Sequence, residues 1–273
     1  MPQFRRAASA AAVAAALTCI PAGAQTADDL RDAEAESAGH SKRLFEGIRG
    51  DIKEFATAPV RWRGREWAQF GGVVAAVSAA YQYDAKTRVH FATDAEADYH
   101  EVQDSMPAAL AFGSAWLAGK FLKNDEARGE AALMLRATML STISSEALKV
   151  TLRRERPGPG VSHDTWNGGG MSFPSGHTAT AFAIGTVLAE SGDDRHRWGR
   201  RTLGYGFVGL VTAYQRLNHD AHWLSDTVAG AALGIAAARF TMNRGERSES
   251  RGEVSLTPQN GGAMLTYNLP IRR

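Results

Sequence analysis

Cysteine is all but absent from this sequence. Cys19 is the only one, so no intramolecular disulfide is available and the fold must rest on its core. Long uncharged apolar runs are scarce too: the segment Trp67 to Tyr83 has 17 residues, and later segments are broken by Lys120, by Arg136 and Glu146, and by Arg239. Most are too short or too charged for the roughly 20 apolar residues that span a bilayer, and the mean hydropathy of −0.27 agrees. There is no excess of one charge either, with 31 Lys and Arg against 29 Asp and Glu. Nucleic acid is therefore not an expected partner, because phosphate-backbone binding needs a clustered basic surplus. What is present, 44% hydrophobic and 22% charged residues, suffices to bury the core of one domain of about 200 to 250 residues.

The N-terminus has the pattern of a secretory signal. A basic start, "MPQFRR", precedes an apolar "AASAAAVAAALTCI" and the small residues Ala22 and Ala24. Residues 1–24 are read as a signal peptide cleaved near Ala24, which makes the protein exported, in the periplasm or cell envelope; membrane embedding is the weaker reading. Cleavage would remove Arg5, Arg6 and Cys19 and bring the formal charge to zero. Residues 25–43 are expected to form a flexible polar lead-in, and a helix is expected from Leu44 to Thr57. Apolar segments then recur at Trp67–Tyr83, Pro107–Leu122, Ala131–Val150, Thr178–Ala189, Leu203–Leu217 and Asp226–Phe240. Their length and lack of strand-like alternation predict an all-α bundle of about six core helices. The loop 158–170, "GPGVSHDTWNGGG", is glycine-rich and suits a flexible lid. In the tail 243–273, Asn260-Gly261 between two alternating runs suggests a short β-hairpin.

Three polar islands carry the chemistry. In "KVTLRRERP", Lys149 and Arg156 are seven apart and are expected on one helix face with Arg153 between them, before Pro157 stops the helix. In "FPSGHTATAF", Ser175 is a natural N-cap and Gly176 permits close backbone approach, so the helix start offers an anion its N–H groups and dipole. In "QRLNHDAHWLSD", His222 and Asp226 are spaced i, i+4, so that the carboxylate can fix the imidazole tautomer and leave the other ring nitrogen a nucleophile or base; Arg216 lies six residues before. Singly, each island has a plainer reading: a solvated helix face, an ordinary helix start, a structural His/Asp pair. The cluster His219, Asp220, His222, Asp226 lacks the cysteines or second His pair of a metal centre, so no metal is assigned. Together with His177, the islands form a set suited to phosphoryl transfer through a phosphohistidine.

In these motifs the sequence resembles the type 2 phosphatidic acid phosphatase (PAP2) superfamily, which includes lipid phosphate phosphatases, bacterial nonspecific acid phosphatases and vanadium haloperoxidases. The pattern is Lys, six residues, Arg-Pro; then Pro-Ser-Gly-His; then Ser-Arg, five residues, His, three residues, Asp. It is met by Lys149, Arg156 and Pro157, by Pro174 to His177, and by Arg216, His222 and Asp226, with Gln215 replacing the serine. The resemblance implies a PAP2-like helical phosphatase domain over residues 44–242 and a metal-independent phosphatase of phosphate monoesters, small or lipid-linked. His222 is then the nucleophile, Asp226 its partner, and His177 the proton donor and later the base. Lys149, Arg156, Ser175, Gly176 and Arg216 bind the phosphoryl group. No cofactor is implied; vanadate or phosphate is expected to occupy the site as inhibitor or product. His163, His196 and His219 stay outside the set. A vanadium-dependent haloperoxidase and a non-catalytic envelope protein with a relic pocket are the alternatives. Peripheral membrane contact and the oligomeric state are left open.

Overall fold

The computed structural model describes residues 48–92, 101–192, 194–250, 253–259 and 262–268. The expected signal peptide, the lead-in and the Asn260-Gly261 turn lie outside the described residues. Two compact units divide the chain at Ala56/Thr57. A helix, α1, runs over residues 48–57, and all of it but Thr57 belongs to the first unit.

The second unit is a bundle of the helices α2 (Gly64–Phe91), α3 (Glu101–Phe121), α4 (Asp125–Leu152), α5 (Gly176–Glu190), α6 (Arg197–Arg201), α7 (Val211–Asn218) and α8 (Leu224–Ser250). A π-helical stretch, Thr202–Leu210, joins α6 to α7, so this expected helix is nearly continuous but wider than an α-helix in its middle. Helix α2 runs well past Tyr83, because Asp84 and Arg88 find partners inside the fold instead of ending it. Pro107 does not open α3 but sits in its second turn. After α8, strands β1 (Glu253–Gln259) and β2 (Gly262–Asn268) pair antiparallel, with Glu253 opposite Asn268 and Gln259 opposite Gly262. None of the described helices is long and apolar enough to cross a membrane.

Helix α5 is the axis of the bundle. Its sequence is apolar or small on every face, the mark of a buried helix, and Ala179, Ala181, Phe182, Ala183, Ile184, Val187 and Ala189 are all buried. It packs most extensively against α8, then against α4 and the π-helical stretch. Met134 and Ala137 of α4, Val208 and Ala238 complete the core around it.

The contact of α5 with α8 requires missing side chains. A Cβ on Gly234 would stand 2.2 Å from the Ala179 carbonyl oxygen, and one on Gly230 would stand 2.5 Å from that of Ser175. The two helices therefore touch backbone to backbone, and their N-termini are held together by the Ser175 N–H donating to the Asp226 carbonyl at 3.0 Å. Gly234→Ala should force them apart and lower the unfolding free energy by about 1–3 kcal/mol, which urea denaturation will measure; an unchanged midpoint would mean that the approach is not tight.

Candidate active site

The turn before α8 presents His222 and Asp226. The chain leaves α7 at Asn218, turns through Asp220 in the left-handed region at φ 49°, and closes with the Ala221 N–H donating to the Arg216 carbonyl at 3.1 Å. His222 thus precedes the helix and does not share a helical face with Asp226, as the i, i+4 spacing suggested. Asp226 lies in the first turn and folds back: its Oδ2 accepts the Trp223 N–H at 3.0 Å, the reach-back bond of a helix N-terminus. The same Oδ2 lies 3.4 Å from His222 Nδ1 and accepts the Ser172 hydroxyl at 2.5 Å. Oδ1 accepts from Arg154 at 2.6 Å. A carboxylate facing Nδ1 selects the Nδ1–H tautomer and leaves the lone pair on Nε2.

Burial decides the charges here. His222 is pushed down to about 3, first by desolvation and further by the charges of Arg216 and Arg156, against the opposing bond to Asp226. Its ring is therefore neutral at ordinary pH. Burial alone would raise the Asp226 carboxyl, but the His222 bond, the Arg154 charge and the Ser172 hydroxyl outweigh it and hold the group below the usual carboxylate range. Arg216, wholly buried, is lowered to about 10 by desolvation and stays charged.

The start of α5 completes the site. Lys149, in the last turn of α4, is nearly buried, with Nζ 2.7 Å from Glu146 Oε1. A Cβ on Gly176 would come within 3.1 Å of that Nζ and 3.7 Å of Ser145 Oγ, so only glycine leaves this ammonium group undisturbed against the helix start. Ser175 occupies the N-cap position but its side chain does not cap; its Oγ accepts from Thr178 Oγ1 at 3.0 Å. His177 follows in the first turn, half-buried.

Arg156 does not share a helix face with Lys149. Helix α4 ends at Leu152, Arg153 takes the left-handed conformation at φ 49°, and Arg156 extends beyond it, exposed yet close enough to depress His222. Arg153 is exposed, and it is Arg154 that turns inward. The structure thus brings Lys149, Ser175 and Gly176 together, sets Arg216 and Arg156 within electrostatic reach of His222 and Asp226, and joins the groups through the Ser175–Asp226 backbone bond.

Sequence reasoning missed Arg154, Asp84, Ser172 and Ser225. One signal was available: Asp84 is a lone carboxylate at the end of an apolar run, and such a group, when buried, must be paired. The 158–170 loop is tethered rather than loose. Glu155 N–H donates to the Thr165 carbonyl at 3.0 Å, Asn167 N–H to that of Leu152 at 3.3 Å, and Trp166 lies over Arg154. Within it the His163 carbonyl accepts from Arg154, and its ring stands 5.1 Å from Tyr81. Asp220 is held by Arg88 at 2.7 Å, and among the described residues no three His, Cys, Asp or Glu side chains converge as a metal site. His196 sits beyond the far end of α5.

The PAP2 superfamily matches residues 130–249, which include every candidate residue from Lys149 to Asp226. Over this stretch the chain is similar to the PAP2 superfamily. Among curated proteins, the lipid A 1-phosphatase of Porphyromonas gingivalis is 44% identical over 64 residues, 23% of this chain and 14% of that protein. The chain therefore spans only a small part of that relative's length. Among solved structures, Aquifex aeolicus LpxE is 23% identical, with a TM-score of 0.39 over 54% of this chain and 88% of that one. The transmembrane PAP2-type phosphatidylglycerolphosphate phosphatase of Bacillus subtilis is 18% identical, with a TM-score of 0.39 over 75% and 95%.

The depressed His222 has a consequence for stability. Between its unfolded pKa of 6.5 and the folded value of about 3, the unfolded chain takes up a proton that the folded ring refuses, so stability falls as pH falls through that window. Asp226 acts in the same direction, its contribution being lost as pH drops through its lowered pKa. Urea unfolding at pH 6.5 and 4.5 should show His222→Ala losing about 2–3 kcal/mol less than the parent across that interval; equal losses would mean that the ring is already charged in the folded state.

Proposed function

We propose that this chain is a phosphatase that hydrolyses phosphate monoesters, lipid-linked ones among them, through a phosphohistidine at His222. The observation that carries this reading is a buried, neutral imidazole, oriented by a carboxylate and set among fixed cations at a helix start. Nε2 of His222 attacks phosphorus, the P–O bond to the alcohol breaks, and His177 gives its proton to the departing oxygen. A water molecule then loses a proton to His177 and attacks the phosphoryl group. The P–N bond breaks, and His222 is regenerated with inorganic phosphate released. Asp226 stabilises the positive charge that forms on the ring.

Lys149, Arg156 and Arg216, with Ser175 and the Gly176 N–H, bind the phosphoryl oxygens and the charge that builds in the transition state. Three fixed cations supply what a divalent ion supplies elsewhere, so the reaction needs no metal. A lipid-linked substrate is supported by the name of the curated relative and by the apolar side chains that α2 exposes, Trp67, Phe70, Val73 and Val74. Export to the cell envelope, as the N-terminal sequence suggests, would give such a protein access to envelope lipids.

Purified protein should release p-nitrophenol from p-nitrophenyl phosphate in excess chelator, with vanadate inhibiting, and His222→Ala should lose at least about 1000-fold in kcat. Equal release by the variant would remove His222 as nucleophile, and halide oxidation with vanadate in place of phosphate release would point to haloperoxidase chemistry. Long-chain lipid phosphates tested beside sugar phosphates will decide the substrate class, with higher kcat/KM expected for the lipids.

A further inference from the structure

Arg154 is wholly buried and joins two buried carboxylates that are far apart in sequence. One terminal nitrogen donates to Asp226 Oδ1 at 2.6 Å and to Ser225 Oγ at 2.7 Å. The other donates to Asp84 Oδ2 at 2.7 Å and to the His163 carbonyl at 2.6 Å, which also accepts from Nε at 3.2 Å. Asp84 is itself fixed, accepting the Ser225 N–H at 2.8 Å and its hydroxyl at 2.7 Å. The rings of Tyr81, Trp166 and Trp223 stand 5.2, 4.7 and 5.5 Å from the guanidinium carbon.

This arrangement divides the labour of one carboxylate. Asp226 turns Oδ2 to the imidazole and Oδ1 to Arg154, so rotation about its Cβ–Cγ bond would break the bond to the guanidinium. Left alone, that guanidinium would also draw the Asp226 charge away from His222. Asp84 opposes this by holding the other side of the fork. Granting the phosphatase reading of the site, we propose that Arg154, anchored by Asp84, is a positioning residue that locks the Asp226 carboxylate plane against His222. Asp84 belongs to α2, outside residues 130–249, so a helix beyond the family match contributes to the alignment of the nucleophile.

The test uses the full chain with p-nitrophenyl phosphate, beside His222→Ala. Arg154→Lys keeps the charge but cannot grip both carboxylates, and Asp84→Asn keeps an acceptor for the Ser225 N–H while removing the ion pair. Arg154→Lys should lower kcat about 10- to 100-fold with KM within about twofold, the range seen when a group behind a ligand or nucleophile is lost. Asp84→Asn should lower kcat about 10-fold, and should add almost nothing in the Arg154→Lys background, because it acts through that arginine. Ser225→Ala strands no charge and should cost about threefold in kcat alone, which decides the matter if the charge variants do not fold. Full kcat in folded Arg154→Lys, a rise in KM without loss of kcat, or a Ser225→Ala variant equal to the parent would overturn the proposal. A parent no more active than His222→Ala would instead overturn the phosphatase reading.

Discussion

Asp226 is a buried carboxylate held on both oxygens, by side chains distant in sequence and by groups of its own turn. Arg154 holds one oxygen; Ser172, the Trp223 N–H and His222 share the other. Burying such an ion is costly unless it is paired and hydrogen-bonded; Arg154 supplies the pair, while Ser172 and the Trp223 N–H share Oδ2 with His222. The result is a charged acceptor that stays ionised although buried and beside it an imidazole that stays neutral. Everything proposed about the chemistry follows from that asymmetry.

The bundle exists, from the site's point of view, to bring two helix starts together. Helices α5 and α8 touch through Gly230 and Gly234, and their first turns are stitched by the Ser175–Asp226 backbone bond. Lys149 arrives from the end of α4 against Gly176, and Arg88 ties α2 to the turn that carries His222 through Asp220. The glycines of α8 are thus not filler. They set the spacing at which one helix start, one carboxylate and several cations lie near one another.

Much of this was legible in the sequence. The six apolar segments correspond to α2, α3, α4, α5, the 197–218 stretch and α8, because helical periodicity and small-residue content are local properties. The place of the three polar islands in the fold was legible for the same reason: each stands at a helix terminus with its own short pattern. What was not legible depended on the third dimension. Arg153 and Arg154 are indistinguishable as neighbours in "LRRERP"; only the left-handed turn at Arg153 sends the second inward and the first to solvent. Lys149 and Arg156 read as one helix face because nothing local announced that turn. Asp84 read as the end of an apolar run, since its partners lie 70 and 141 residues away. The π-helical widening at Thr202–Leu210 has no sequence signal that we recognise.

The central claim is that the buried imidazole at 222 forms a bond to phosphorus. Rapid quenching of the protein with a radiolabelled monoester into alkali, followed by peptide mapping, tests it directly. The account predicts a transient phosphoryl group that survives base, is lost in mild acid and maps to His222. Product release with no covalent phosphate at any time, or label on another side chain, would contradict it.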